Sequence, residues 1–193
     1  MHKPTLIALA LTGLSAGAIA DHRDSDLSYD FLEYRYQEAE LDFNDFEIDG
    51  DGYQFNGALE ISDSLHLFGG FDKLTFDDDV ELQTRVLGIG WAFDLSARTD
   101  IVLRAGVVDA EFEDPQFRQT ADGAVFSIGV RSFVRDDIEL YGNLNRFQFD
   151  DIDDEESTTI GLDFYFSESF AVGPAINWIE DTTTWSLGGK FYF

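Results

Sequence analysis

Trp185-Ser186-Leu187-Gly188-Gly189-Lys190-Phe191-Tyr192-Phe193 puts Trp, Leu, Gly, Phe and Phe on every second residue, with Ser, Gly, Lys and Tyr between them. Period two is the signature of a β-strand whose two faces meet different surroundings. The same alternation recurs upstream, in Tyr53-Phe55-Leu59-Ile61, Leu87-Ile89-Trp91-Phe93, Phe126-Ile128-Val130 and Ile160-Leu162-Phe164-Phe166. After residue 20 no stretch is apolar for the 18 residues a transmembrane helix needs, and no 3.6-residue period replaces the two-residue one.

The polarity of the two faces selects the class of β protein. One face is large, aliphatic and aromatic. The other is Gly, Ala and small polar residues beside single charges such as Arg104, Arg131 and Lys190. A sandwich would hide the bulky face in a shared core. A lipocalin-like barrel, the soluble alternative, would turn it inward. A narrow transmembrane barrel turns it to lipid and lines its lumen with the small and polar face.

The punctuation alternates too. Short connections fall at Ser62-Asp63-Ser64, Asp94 to Thr99, Arg135-Asp136-Asp137 and Ser167-Glu168-Ser169. Longer acidic ones run over Ala39–Asp51, Phe76–Val80, Asp114–Asp122, Asp150–Ser157 and Glu180–Thr182. Outer-membrane barrels pair short periplasmic turns with longer external loops. The pattern predicts ten strands, over 27–38, 51–61, 65–75, 81–93, 100–112, 123–134, 138–149, 158–166, 170–179 and 183–193. Eight is the alternative, with 65–75 and a partner read as loop. The expected fold is therefore all-β, an antiparallel up-and-down transmembrane barrel with both termini on the periplasmic side.

Composition narrows the function classes. The 193 residues carry Lys+Arg 12 against Asp+Glu 39, a formal charge of -27, which excludes a nucleic-acid binder working by phosphate neutralisation. Aromatics at 15% argue against disorder despite that charge. Zero Cys excludes disulfides, thiolate metal sites and Cys nucleophiles. Lys3, the apolar Leu6–Leu11 and Ala18-Ile19-Ala20 followed by Asp21 form a signal-peptide pattern, so residues 1–20 are expected to be cleaved on export and 21–193 to form one barrel domain.

The chain's final nine residues, with Asp51-Gly52-Tyr53, Leu65-His66-Leu67-Phe68-Gly69 and Leu87-Gly88-Ile89-Gly90-Trp91, resemble small OmpA-like and porin-like outer-membrane β-barrel proteins of Gram-negative bacteria. The resemblance implies location in the cell outer membrane, with outer-membrane lipid and lipopolysaccharide as surroundings and a monomeric state. It further implies that Trp185, Leu187, Phe191 and Phe193 form the C-terminal signal read by the barrel-assembly machinery. Phe193 ends the sequence, so the peptidoglycan-binding domain of many OmpA-type proteins is not expected. Fold does not fix function in such a group.

Several residue sets are candidates for chemistry. Asp150, Asp151, Asp153, Asp154, Glu155 and Glu156 place six carboxylates in seven residues, a possible Ca²⁺ or Mg²⁺ site or a solvated loop; no other cofactor is expected. Asp45-x-Glu47-x-Asp49-Gly50 begins like an EF-hand, but position twelve falls on Asn56 in a strand, so the reading fails. By parity Lys73, Arg85 and Arg146 lie on the lipid face near the loop ends of their strands, where they either meet lipopolysaccharide phosphates or snorkel to water. Glu33, Arg35, Glu60, Asp72, Arg104, Arg131, Glu139, Asp163 and Lys190 share the lumen parity, forming either a salt-bridged plug or a narrow ion path.

Catalysis is not expected. His2 falls in the leader, His22 follows it, and His66 begins a strand at the periplasmic end, away from the external rim where barrel enzymes work. Tyr34, Tyr36, Trp91, Phe93, Phe164, Phe166, Trp178 and Trp185 read as interfacial girdles. The expected function is a non-enzymatic structural or surface-exposed membrane protein. A small cation-preferring porin and a surface adhesin or receptor are the alternatives.

Overall fold

A computed structural model of the chain describes residues 27–43, 46–76, 80–150, 153–180 and 182–193. The expected leader, residues 1–20, lies outside them, as do Asp45, Asp77, Asp78, Asp79 and Asp151. Ten strands follow in order: β1 Phe31–Phe43, β2 Phe46–Ser62, β3 Leu65–Phe76, β4 Val80–Ser96, β5 Thr99–Asp114, β6 Phe117–Arg135, β7 Ile138–Phe149, β8 Glu155–Ser167, β9 Phe170–Ile179 and β10 Thr182–Tyr192. Each pairs antiparallel with its chain neighbours, and β10 closes on β1. The ten-strand reading holds, and the eight-strand alternative falls.

The four short turns each sit beside a register shift, between Glu60 and Ser62, Asp94 and Ser96, Phe133 and Arg135, and Tyr165 and Ser167. One extra residue before the turn sharpens the local twist, as a β-bulge does.

The outward positions form a continuous apolar belt. It runs over Tyr53–Ile61 on β2, Leu87–Leu95 on β4, Phe126–Val134 on β6, Phe170–Trp178 on β9 and Trp185–Phe193 on β10, with the large side chains there exposed. About 9–11 tilted residues cross an apolar bilayer core, so the belt has the height of one. Above it the outward residues turn charged at once: Glu38 and Glu40, Asp51 and Asp49, Arg85 and Glu81, Asp109 and Glu111.

Several strand ends depart from expectation. β1 begins at Phe31, because Leu27–Asp30 leaves the wall and folds into the barrel. The acidic stretches read as loops, Ala39–Asp51 and Asp114–Asp122, are largely strand, paired out to Phe43↔Phe46 and Asp114↔Phe117. Alternation continues there, with Ala39, Leu41, Ala110, Phe112 and Ala121 buried. Above the membrane the faces exchange polarity. The lumen takes apolar side chains and water takes the charges, as in a soluble barrel.

That exchange corrects the reading of the inner face as uniformly small or polar. Toward the long hairpins it is filled by Leu74, Phe76, Leu82, Phe112, Phe147 and Phe149, all buried. Ionic and polar side chains fill the part toward the short turns.

Candidate functional site

The lumen collects the charges that parity assigned to it, in two clusters. In the middle, Arg35 Nε donates to Glu33 Oε1 at 2.8 Å, Nη1 to the Gly173 carbonyl at 3.1 Å and Nη2 to the Tyr141 hydroxyl at 2.6 Å. Lys190 Nζ donates to Asp163 Oδ2 at 2.5 Å and lies 3.7 Å from Glu33. Asn56 Nδ2 donates to Glu33 Oε2 at 2.8 Å. The side chains of Arg35, Glu33, Asp163 and Lys190 are each at most 2% exposed. Buried charges persist only when paired and hydrogen-bonded, and here they are.

Room for these side chains comes from glycine. A Cβ on Gly188 would stand 2.2 Å from Arg35 Cγ, and one on Gly161 would stand 2.3 Å from Tyr141 Cζ. The inner face is small where a neighbouring strand delivers a large residue across it.

The second cluster lies at the short-turn end. Arg131 pairs with Glu139, its Nη2 donating to Oε2 at 2.7 Å. The Tyr165 hydroxyl donates to Glu139 at 2.6 Å and lies 2.7 Å from the Tyr192 hydroxyl. Into this cluster comes the segment Leu27–Asp30. Its Tyr29 ring stacks on His66 with 5.8 Å between centroids and lies 4.3 Å beneath the Arg131 guanidinium. The Tyr29 hydroxyl donates to Asp100 Oδ2 at 2.8 Å, and Arg131 Nη1 donates to the Ser28 carbonyl at 3.1 Å. Glu60 fastens the segment to β2: Tyr29 N donates to Glu60 Oε1 at 2.9 Å, and Glu60 N donates to Asp30 Oδ1 at 2.8 Å.

Arg104 stands between the clusters, Nε 3.4 Å from His66 Nε2 and its guanidinium over the Phe68 ring at 5.1 Å. Asp72 joins neither cluster and lies beside Gln37 and Gln54.

Parity alone could have found Tyr141, Tyr165 and Tyr192, which face inward on strands already identified. Parity carried through the expected 27–38 strand turns Tyr29 inward as well, but no signal in the chain tells that Leu27–Asp30 leaves the wall and lays this ring between His66 and Arg131.

Lys73, Arg85 and Arg146 lie outside, just above the belt, and each has a carboxylate partner. Lys73 is 2.7 Å from Glu81, Arg85 is 2.8 Å from Asp109, and Arg146 is 2.9 Å from Asp154 and 3.2 Å from Glu156. Strand alternation divides the acidic cluster of the β7–β8 connection. Asp154 and Glu156 turn to Arg146, while Glu155 turns inward, 7% exposed, with its Oε2 unbonded. Asp150 and Asp153 are exposed, and among the described residues no three His, Asp or Glu converge as metal ligands. Trp185, Leu187, Phe191 and Phe193 all face outward, as do the aromatic side chains read as girdles.

No protein-family model matches the chain, and no curated protein matches it in sequence. Solved structures match in fold. An outer-membrane channel from Pseudomonas putida F1 is similar at 10% identity and a TM-score of 0.56, over 91% of this chain and 100% of that one. The NanC porin is similar at 7% identity and a TM-score of 0.50, over 84% of this chain and 100% of that one. Belt and fold together define a small integral β-barrel of the outer-membrane class. Its fold, with the apolar belt outside, is that of outer-membrane barrels.

Proposed function

We propose that this is a closed, non-enzymatic outer-membrane barrel whose role is structural or is carried by the acidic hairpins it holds outside the cell. The observation behind this reading is the packing of the lumen. Arg35, Asp163, Lys190, Arg131 and Glu139, the inserted Tyr29 and the apolar layer of Leu74, Leu82 and Phe147 are each 2% exposed or less, which leaves no room for water at their side chains. Ion conduction needs a continuous wet path. His66 is engaged by Tyr29 and Arg104, which argues against its use as a general base.

Single-channel recording on the refolded barrel in a planar bilayer tests the reading, with folding verified by heat-modifiable gel mobility. A silent bilayer is the expected result. Discrete, cation-selective steps would replace it with the second reading, a small cation-preferring porin, which the exposed carboxylates Asp153 and Glu180 at the hairpin end favour by concentrating cations.

Lipopolysaccharide is the expected partner of the outer rim. Charge reversal at Arg85 and Arg146 should weaken lipid A association, and unchanged association would exclude those residues. Ca²⁺ or Mg²⁺ at the β7–β8 connection belongs to the same reading, as the bridge between rim carboxylates and lipid phosphates. The outward Trp185, Leu187, Phe191 and Phe193 are in turn suited to the barrel-assembly machinery, and the barrel is expected to be a monomer.

A further inference from the structure

Among the described residues, the β5–β6 hairpin carries a strand edge that no other strand covers. β6 pairs with β5 from Phe117 to Ser132. On its other side it meets β7 only from Gly123↔Phe149 onward, with one more backbone bond, Asp150 N donating to the Asp122 carbonyl at 3.1 Å. Successive residues of a strand turn their N–H and C=O to opposite edges. Since Asp122 faces β7, Ala121 faces β5, and the backbone groups of Thr120 and Arg118 face the open edge. Among the described residues no strand pairs with them there.

This edge stands above the belt, which on β6 begins below Asp122. Polar backbone presented in a row is a template for another strand, and natural proteins usually cover or blunt it. The surroundings select what can pair. Glu113, Asp114, Asp122 and Asp150 flank the edge, and the one cation on it, Arg118, is already taken by Glu111 and Glu113. A second copy of this chain would bring the same carboxylates and be repelled. Exposed Phe117, packed on Phe112 with 6.5 Å between centroids, offers an apolar anchor at the tip.

We propose that the open edge of β6 at Arg118–Thr120 receives an extended lysine- or arginine-bearing segment of another protein by strand addition. The proposal rests on the reading that the long hairpins face outward. It does not depend on whether the lumen conducts.

The probe is a labelled peptide, acetyl-Thr-Lys-Val-Lys-Val-Lys-Thr-amide, titrated against the folded full barrel in detergent by fluorescence anisotropy. Thr120→Pro deletes an N–H that β5 does not use, so the strand tolerates it as edge strands tolerate proline. Saturable binding is expected, weakened about tenfold or more by Thr120→Pro and unchanged by Thr120→Ala. A peptide N-methylated on alternate residues keeps its charge but loses its strand-pairing N–H groups, and it should bind as weakly as the proline variant leaves the parent peptide. Equal binding of parent and N-methylated peptides would overturn strand addition, leaving charge attraction alone. Absence of binding would overturn it outright. Outward orientation is read separately, by labelling a cysteine placed at Gln116 on intact cells: no labelling there, with peptide binding retained in detergent, would sink the outward reading and leave the edge site standing.

Discussion

Lys190 Nζ and Asp163 Oδ2 meet at 2.5 Å although their strands, β10 and β8, are not neighbours. β9 runs between them and presents only Ala171, Gly173 and Ala175 inward at that level. The ion pair closes over a strand emptied of side chains, and the Gly173 carbonyl accepts from Arg35. A strand that looks weakly specified by its inner residues is therefore set by what its neighbours lay across it.

Breaking that pair from one side leaves a buried charge short of its partner. Lys190→Met or Asp163→Leu should each cost about 3–5 kcal/mol, whereas the double variant should recover most of the loss. Urea unfolding midpoints followed by gel mobility measure both. Equal losses in the single and double variants would show that the two residues do not act as a pair.

Adjacent glycines on β10 should respond in opposite ways. Gly188→Ala drives a methyl to 2.2 Å from Arg35 Cγ, with Tyr34 O also within 2.7 Å, and should cost about 1–3 kcal/mol. Gly189→Ala meets nothing nearer than 3.6 Å on the lipid face and should stay within about 0.5 kcal/mol of the parent.

Tyr29→Phe keeps the ring against His66 and removes the donor to Asp100, which is fully buried. The expected loss is about 1–3 kcal/mol. Its signature should include faster protease cleavage near Leu27, because the hydroxyl helps to hold that segment inside the barrel. Unchanged cleavage with reduced stability would assign the hydroxyl to the wall alone.

Glu155 supplies a pH dependence. It lies above the belt, where burial pushes its carboxyl up to about 8 and the charges of Glu180 and Asp153 add to the shift. In the unfolded chain it titrates near ~4.3. The native state therefore holds a proton that the unfolded state has released, and stability falls as pH rises between those values. Below the lower value the contribution is complete; above the upper it is gone. Glu155→Gln should flatten this part of the pH–stability curve measured from pH 4 to 9 in the folded barrel.

The belt makes a depth-dependent prediction. Ile128→Arg, near the middle of the outward run on β6, should cost about 2–4 kcal/mol in a lipid bilayer. Thr120→Arg, above the belt, should cost about 0–1 kcal/mol. Refolding midpoints in vesicles compare the two, and equal costs would misplace the membrane boundary on this strand.

Much of this architecture was legible because a lipid-facing barrel writes its period directly into the chain. Leu87, Ile89, Trp91 and Phe93 can alternate with Gly88, Gly90 and Ala92 only if the two faces meet different media. The same parity turns Glu33, Arg35, Asp163 and Lys190 inward, where they lie buried. It failed above the membrane, where water takes the place of lipid and the outward face becomes acidic. Glu40, Asp49, Asp114 and Asp122 then look like loop residues while remaining in strand.

The sequence by itself determined the class of barrel, the face each strand side chain takes and a turn pattern that points to ten strands with eight left open, because these follow from local alternation and turn chemistry. Only the tertiary structure decided which inward charges meet. Lys190 finds Asp163 two strands away, Arg131 finds Glu139 and the Ser28 carbonyl, and Tyr29 fills the short-turn end from outside the wall. Those contacts depend on shear and closure, which set how far each strand slides against the next. No local pattern in the chain encodes that displacement.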